Sequence, residues 1–412
     1  MRKLLTILIT FALLSTSVMV LTAKVSLADN VTSTVTVGVQ PEGVAFDPTN
    51  GYLYVANFGS GTVSVIDGST NTVVTNVTVG VAPIGIAFDQ TNGYLYVANE
   101  GSGTVSVIDG STNTAVTTVT VGTNPEGLAF DPTNGYLYVA NKGSGTVSVI
   151  DGSTNSAVTN VTVGSQPYAV ALDSANGDIY VTNSYSRSAS VISGSTNTVV
   201  ATVAVGIGPD GIAFDQTNGY LYVANYGSGT VSVIDGSTNT AVTTVTVGTN
   251  PEGVAFDPTN GYLYVTNYGA GTVSVIDGST NTVVTNVTVG SGPVRVAFDQ
   301  TNGDLYVANF GSNSVSVVSP SPSTSASSTT LTTPTTSASS TTSTTPTTST
   351  SSEGSSTLTT PQTSASSTTS GGGGIPEFPY QVVVATIFAL LVVASYLLVR
   401  RRSSPKQSQF SL

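Results

Sequence analysis

The sequence predicts an all-β fold: a seven-bladed β-propeller of four-stranded antiparallel blades, followed by a disordered stalk and one C-terminal transmembrane helix. Three observations carry this. The segment Tyr52-Leu53-Tyr54-Val55-Ala56-Asn57 recurs with its closing Asn at 57, 99, 141, 183, 225, 267 and 309, always 42 residues apart. A repeat of about this length is one blade, and a ring of such units buries faces that no unit can bury alone. Each unit holds four short Val/Ile/Thr/Tyr-rich segments, without helical periodicity. Finally, a spare strand precedes the first unit, and the seventh unit lacks its fourth.

In the first unit the strands are expected at 43–47, 52–57, 62–67 and 73–79. The connections Pro48-Thr49-Asn50-Gly51, Phe58-Gly59-Ser60-Gly61 and Gly68-Ser69-Thr70-Asn71 supply the turn residues that tight hairpins need. The recurrent Asp47 and Asp67 positions precede such turns and read as caps for backbone amides two residues on. The Gly59-Ser60-Gly61-Thr62 loop is followed by a strand, whereas a phosphate loop needs a helix N-terminus. Residues 31–37 match the end of a fourth strand, and the seventh unit stops after its third, at 314–318. The first strand therefore completes the last blade and closes the circle.

The domain plan is a signal peptide over 1–28, the propeller over 29–318, a Ser/Thr/Pro-rich disordered stalk over 319–374, an anchor segment over 375–402 and a cytoplasmic tail over 403–412. Arg2 and Lys3 precede an apolar run, and the small-residue site Ser26-Leu27-Ala28 follows it. That pattern is a secretory signal or a retained N-terminal anchor, and both imply export. Residues 379–399 carry no charge and are followed by Arg400, Arg401 and Arg402. Such a stretch spans a bilayer with its basic flank inside, leaving the propeller outside. The stalk has too little apolar bulk to repay ordering.

Composition excludes several function classes. Every acidic residue except Glu377 lies within 29–374, where the only basic residues are Lys142, Arg187 and Arg295. Nucleic acid needs clustered cations to displace its counterions, so it is excluded as a partner. The chain has no Cys and no His. That removes the thiolate nucleophile, the commonest general base and the commonest zinc ligand. No cofactor and no metal are expected, and the chain is expected not to be an enzyme.

Tyr180-Val181-Thr182-Asn183 and Tyr264-Val265-Thr266-Asn267 carry a motif whose other five copies read Tyr-Val-Ala-Asn. Through it, 31–318 resembles the YVTN family of propeller-repeat surface proteins, and the resemblance implies an extracellular, surface-layer-type protein. Pro376, Glu377 and Phe378, the apolar span and the Arg cluster together resemble archaeal PEF-type sorting signals. This resemblance implies that a membrane sorting transpeptidase cuts near Pro376 and passes the ectodomain to a lipid; an ordinary single-pass anchor is the alternative.

The copies differ most at two positions. After the constant Pro41 stand Glu42, Ile84, Glu126, Tyr168, Asp210, Glu252 and Val294; after the constant Asn57 stand Phe58, Glu100, Lys142, Ser184, Tyr226, Tyr268 and Phe310. In a four-stranded antiparallel blade both loops emerge on one face, so these residues are expected to ring one mouth of the channel. Blades 4 and 7 add Tyr185, Arg187 and Arg295. Aromatic, acidic and isolated Arg residues at a concave mouth suit capture of carbohydrate or protein. The sequons at Asn30, Asn76, Asn160 and Asn286 are candidate N-glycosylation sites.

The expected function is thus a surface-anchored binding or adhesion module for envelope glycan or surface protein. A structural envelope component without a specific ligand is the alternative. An enzyme with a carboxylate-based or metal–carboxylate site near Glu42, Glu126, Asp210 and Glu252 ranks below both.

Overall fold

A computed structural model describes residues 29–320. Among these residues the chain forms seven four-stranded antiparallel sheets. The first blade is β2 (Pro41–Asp47), β3 (Tyr52–Asn57), β4 (Thr62–Asp67) and β5 (Thr72–Thr78), and it follows β1 (Asn30–Thr36). The same order repeats through β28 (Ser314–Ser319). Strand limits differ from expectation by a residue or two: β2 begins at Pro41, and the outer strand runs over 72–78. The predicted signal peptide, most of the stalk, the Pro376-Glu377-Phe378 motif and the apolar span lie outside the described residues.

The last blade has the order β1-β28-β27-β26, where β26 is Pro293–Phe298 and β27 is Leu305–Asn309. Val31 lies opposite Val318 and Val35 opposite Val315. The N-terminal strand thus supplies the outer edge of the blade that the chain end leaves short.

Alternation within strands explains the packing. The two middle strands are buried on both faces, the innermost strand alternates buried and half-buried residues, and in the outer strand only one residue, such as Val77, is buried. Each hydrophobic cluster spans two neighbouring blades; the first joins Tyr54, Val63 and Val65 to Leu95, Val97 and Ile108. Polar bonds cross the same joint. The buried Tyr54 hydroxyl donates to Asn113 Oδ1 at 2.7 Å and accepts from Asn50 Nδ2 at 3.1 Å. Asn50 Nδ2 also reaches the Gly110 carbonyl at 3.0 Å. A tyrosine here fills the joint with its ring and fixes the register with its hydroxyl.

Asp47 Oδ1 accepts from the Thr49 amide at 2.8 Å, as its turn position requires. Asn57 Nδ2 donates to Ser64 Oγ at 2.9 Å and so ties the β3–β4 hairpin from which Phe58 projects. Asn76, Asn160 and Asn286 lie exposed on outer strands, with their Oδ1 atoms accepting from Ser64, Ser148 and Ser274.

Candidate functional site at the mouth of the channel

Each innermost strand breaks register just after its proline, between Pro41 and Val44 in the first blade and between Pro293 and Val296 in the last. Such an irregularity re-aims side chains. It delivers the residue after the proline to the mouth and the next residue to the axis. Gly43, Gly85, Gly127, Ala169, Gly211, Gly253 and Arg295 line the narrow axial cavity. Glycine is needed at most of these places because the strands crowd at the axis. A Cβ on Gly43 would stand 2.1 Å from the Ile84 carbonyl oxygen. Blade 7 alone sends a long side chain, Arg295, into this space.

Above it a cavity of about 340 Å³ is lined by Glu42, Asp210 and Glu252, by the rings of Tyr168, Tyr226, Tyr268 and Phe310, and by Ser184, Gly208 and Val294. Two ion pairs occur among the described residues. Lys142 Nζ meets Glu126 Oε1 at 2.7 Å, and Arg295 Nη2 meets Asp210 Oδ1, two blades away, at 3.0 Å. Both cations also stand over the Tyr168 ring, at 4.9 and 5.3 Å from its centroid. Glu126 is only 1 % exposed. Glu126 Oε2, Glu42 Oε2 and Arg295 Nη1 are buried without a hydrogen-bond partner.

Four acids and two bases in a shielded space leave a surplus of negative charge. Burial pushes the Glu42 carboxyl up to about 8, against the opposing pull of Arg295, with Glu126, Asp210 and Glu100 adding to the rise. Burial likewise raises Glu126 to about 7, although Lys142 holds it down. Asp210 and Glu252 are also raised, chiefly by burial. The Asp210 charge and burial push the Tyr168 hydroxyl well above its ordinary value, so it stays a neutral donor at physiological pH.

The rim is aromatic. Phe58 and Phe310 stand 6.4 Å apart, and Tyr226 and Tyr268 stand 6.5 Å apart. Tyr185 is 75 % exposed and does not line the cavity. Arg187 is also exposed and stands at φ 53°, in the turn position that Gly61 fills at φ 64° in the first blade. Both sit outside the cluster that holds Glu42, Tyr168, Asp210 and Glu252.

Two supporting residues were missed by sequence reasoning. Thr182 Oγ1 donates to the Asp210 carbonyl at 2.7 Å, and Thr266 Oγ1 donates to the Val294 carbonyl at 2.6 Å. The first clamps Asp210 itself and the second clamps the residue before Arg295, so these threonines position the two ends of the Arg295–Asp210 pair. Their signal was the replacement of Ala by Thr in only these two copies. Replacing Thr266 with Ala is expected to cost about 1 kcal/mol, the usual worth of such a bond. Thermal unfolding of that variant beside Thr266→Ser, which should lose less, checks it.

A family model described as a lactonase, 7-bladed beta-propeller, matches residues 151–355, and one described as a cytochrome D1 heme domain matches residues 46–194. Hydrazine synthase from Kuenenia stuttgartiensis is similar in structure with a TM-score of 0.62, at 22% identity, over 68% of this chain and 95% of that one. At that identity the likeness shows the fold alone. A search of curated proteins finds no match.

These matches correct the expectation that the chain is not an enzyme, since the family models that match are described as a lactonase and as a cytochrome D1 heme domain. The physical reason lies in the mouth. The chain has no His, but burial moves Glu126 to about 7 and Glu42 to about 8, so groups that titrate near neutrality are present all the same. Carboxylates tuned in this way do the work of an imidazole.

Proposed function

We propose that the propeller hydrolyses a small ester or lactone at the mouth of its channel, with Glu42 as general base. The observation that carries this is Glu42 itself, a cavity-lining carboxylate raised to about 8 with one buried oxygen lacking a partner. The Glu42 carboxylate takes a proton from water as the water oxygen bonds to the acyl carbon. The carbonyl electron pair moves to oxygen, where the Tyr168 hydroxyl donates to it. When the intermediate collapses, the C–O bond breaks and the departing alkoxide takes the proton from Glu42. Arg295, over the Tyr168 ring, adds positive potential where the oxyanion develops. The lactonase match supports this reaction class.

A heme does not fit the residues present. Iron needs an axial His, Cys, Met or Tyr. The chain has no His or Cys, and its two Met, Met1 and Met19, lie outside the described residues. Tyr168, Tyr226 and Tyr268 line the cavity, but so do three carboxylates, so both a tyrosinate ligand and an anionic macrocycle would meet acidic groups there.

The location of this activity rests on sequence alone: export, a stalk, and the YVTN and PEF resemblances support a propeller held outside the cell. The aromatic rim gives surface glycan or protein a place to dock beside the hydrolytic pocket. Glu42→Gln is expected to lower kcat on a panel of uncharged lactones and aryl esters by about 100-fold or more, the range of general-base catalysis. In the wild type kcat should climb as pH approaches 8. Tyr185→Ala should leave both unchanged. A Glu42→Gln variant with wild-type turnover would refute the assignment.

A further inference from the structure

The mouth is divided. Glu42 and the Phe58–Phe310 pair belong to blades 1 and 7, whereas Glu252 shares blades 5 and 6 with Tyr226 and Tyr268. The second half has no established task. Glu252 is 7 % exposed, lines the cavity, and among the described residues has neither a hydrogen bond nor an ion pair. The two resident cations are already committed, Lys142 to Glu126 and Arg295 to Asp210. Both stand on Tyr168, while the Tyr226 and Tyr268 rings carry no cation.

Resting on the hydrolytic reading above, we infer that the substrate carries an ammonium group, seated against the Tyr226 and Tyr268 rings and the Glu252 carboxylate. Acid alone would serve a metal as well, but among the described residues no three His, Cys, Asp or Glu are grouped to hold one. Aromatic faces beside a single buried carboxylate are the recognition chemistry of an organic cation. A phosphate or carboxylate on the substrate would meet uncompensated negative charge instead. Asp210, Glu42, Glu126, Arg295, Tyr168 and Tyr226 face Glu252; burial and the three acids hold its carboxyl above the ordinary range, against the pull of Arg295.

The test uses the purified full-length chain, with acetylcholine as a permanently charged ester and 3,3-dimethylbutyl acetate as its uncharged isostere. Calorimetry at pH 7 on the Glu42→Gln variant, in which neither ester should be turned over, should show the charged ester binding about tenfold or more tightly. Adding Glu252→Gln to that variant should abolish the preference without lowering the melting temperature. Glu42→Gln should keep the preference and lose turnover. Equal binding of the two esters, no binding of either, or an undiminished preference in Glu252→Gln overturns the inference. Failure of the hydrolytic reading would look different: unchanged turnover in Glu42→Gln with the preference for the charged ester intact.

Discussion

Replacing Arg295 with Met should destabilise the propeller by about 3–5 kcal/mol, the usual cost of removing one partner from a buried ion pair. Its guanidinium bonds Asp210, two blades away, at 3.0 Å and also lowers the charge burden on Glu42 and Glu252. Without it, Asp210 is left buried and unpaired. The double variant Arg295→Met with Asp210→Asn should recover much of the loss, because both charges are then gone. Chemical denaturation of wild type, single and double variants reads this directly. A single variant within about 0.5 kcal/mol of wild type would mean that the pair does not hold the ring together.

The same substitution alters pH dependence. Glu42 and Glu126 have folded values of about 8 and about 7 against an ordinary 4.5, so the folded state binds more protons than the unfolded chain between those limits. Their contribution to stability is then greatest below about 4.5 and declines as pH rises to about 8. Losing Arg295 removes the attraction that moderates Glu42, so the decline should steepen and extend to higher pH. Melting temperatures from pH 4.5 to 9 test the sign.

The second large effect is expected from deleting residues 30–36. This strand supplies the outer edge of the last blade: Val35 packs with Val315, Val317 and Leu53, and the Thr32 hydroxyl donates to the Val317 carbonyl at 3.3 Å. Without it β28 becomes an open edge whose backbone groups template pairing with another chain. The truncated protein should unfold over a broad range at lower temperature and elute as oligomers. A synthetic peptide covering 29–38, added in trans, should restore a monomer with a sharp transition. A truncated chain that stays monomeric and melts as sharply as the parent would show that closure does not depend on this strand.

Much of the architecture was legible because repetition removes ambiguity. Seven copies of one pattern identify the turns, since Asn50-Gly51 and Asp67-Gly68 recur where chemistry alone would leave them uncertain. The phase of the repeat also placed Glu42, Tyr168, Asp210 and Glu252 on the same loop type, and Tyr226, Tyr268 and Phe310 on its neighbour. Tyr185 and Arg187 were legible as departures but not as outliers in space. They lie in the same second-to-third-strand hairpin as the cavity-lining Ser184, one and three residues further along, and sequence alone does not say how far along that loop the cavity reaches.

The chain's own repeat and composition determined the blade number, the closure of the ring by its first strand, and the unusual mouth residues, because period and turn chemistry are local properties. Only the tertiary structure decided what those residues do to one another. Arg295 finds Asp210 two blades away because the ring curves across its channel. The rise of Glu42 to about 8 depends on desolvation and on charges gathered from other blades. Burial and distance between remote segments are properties of the closed ring, and no single repeat encodes them.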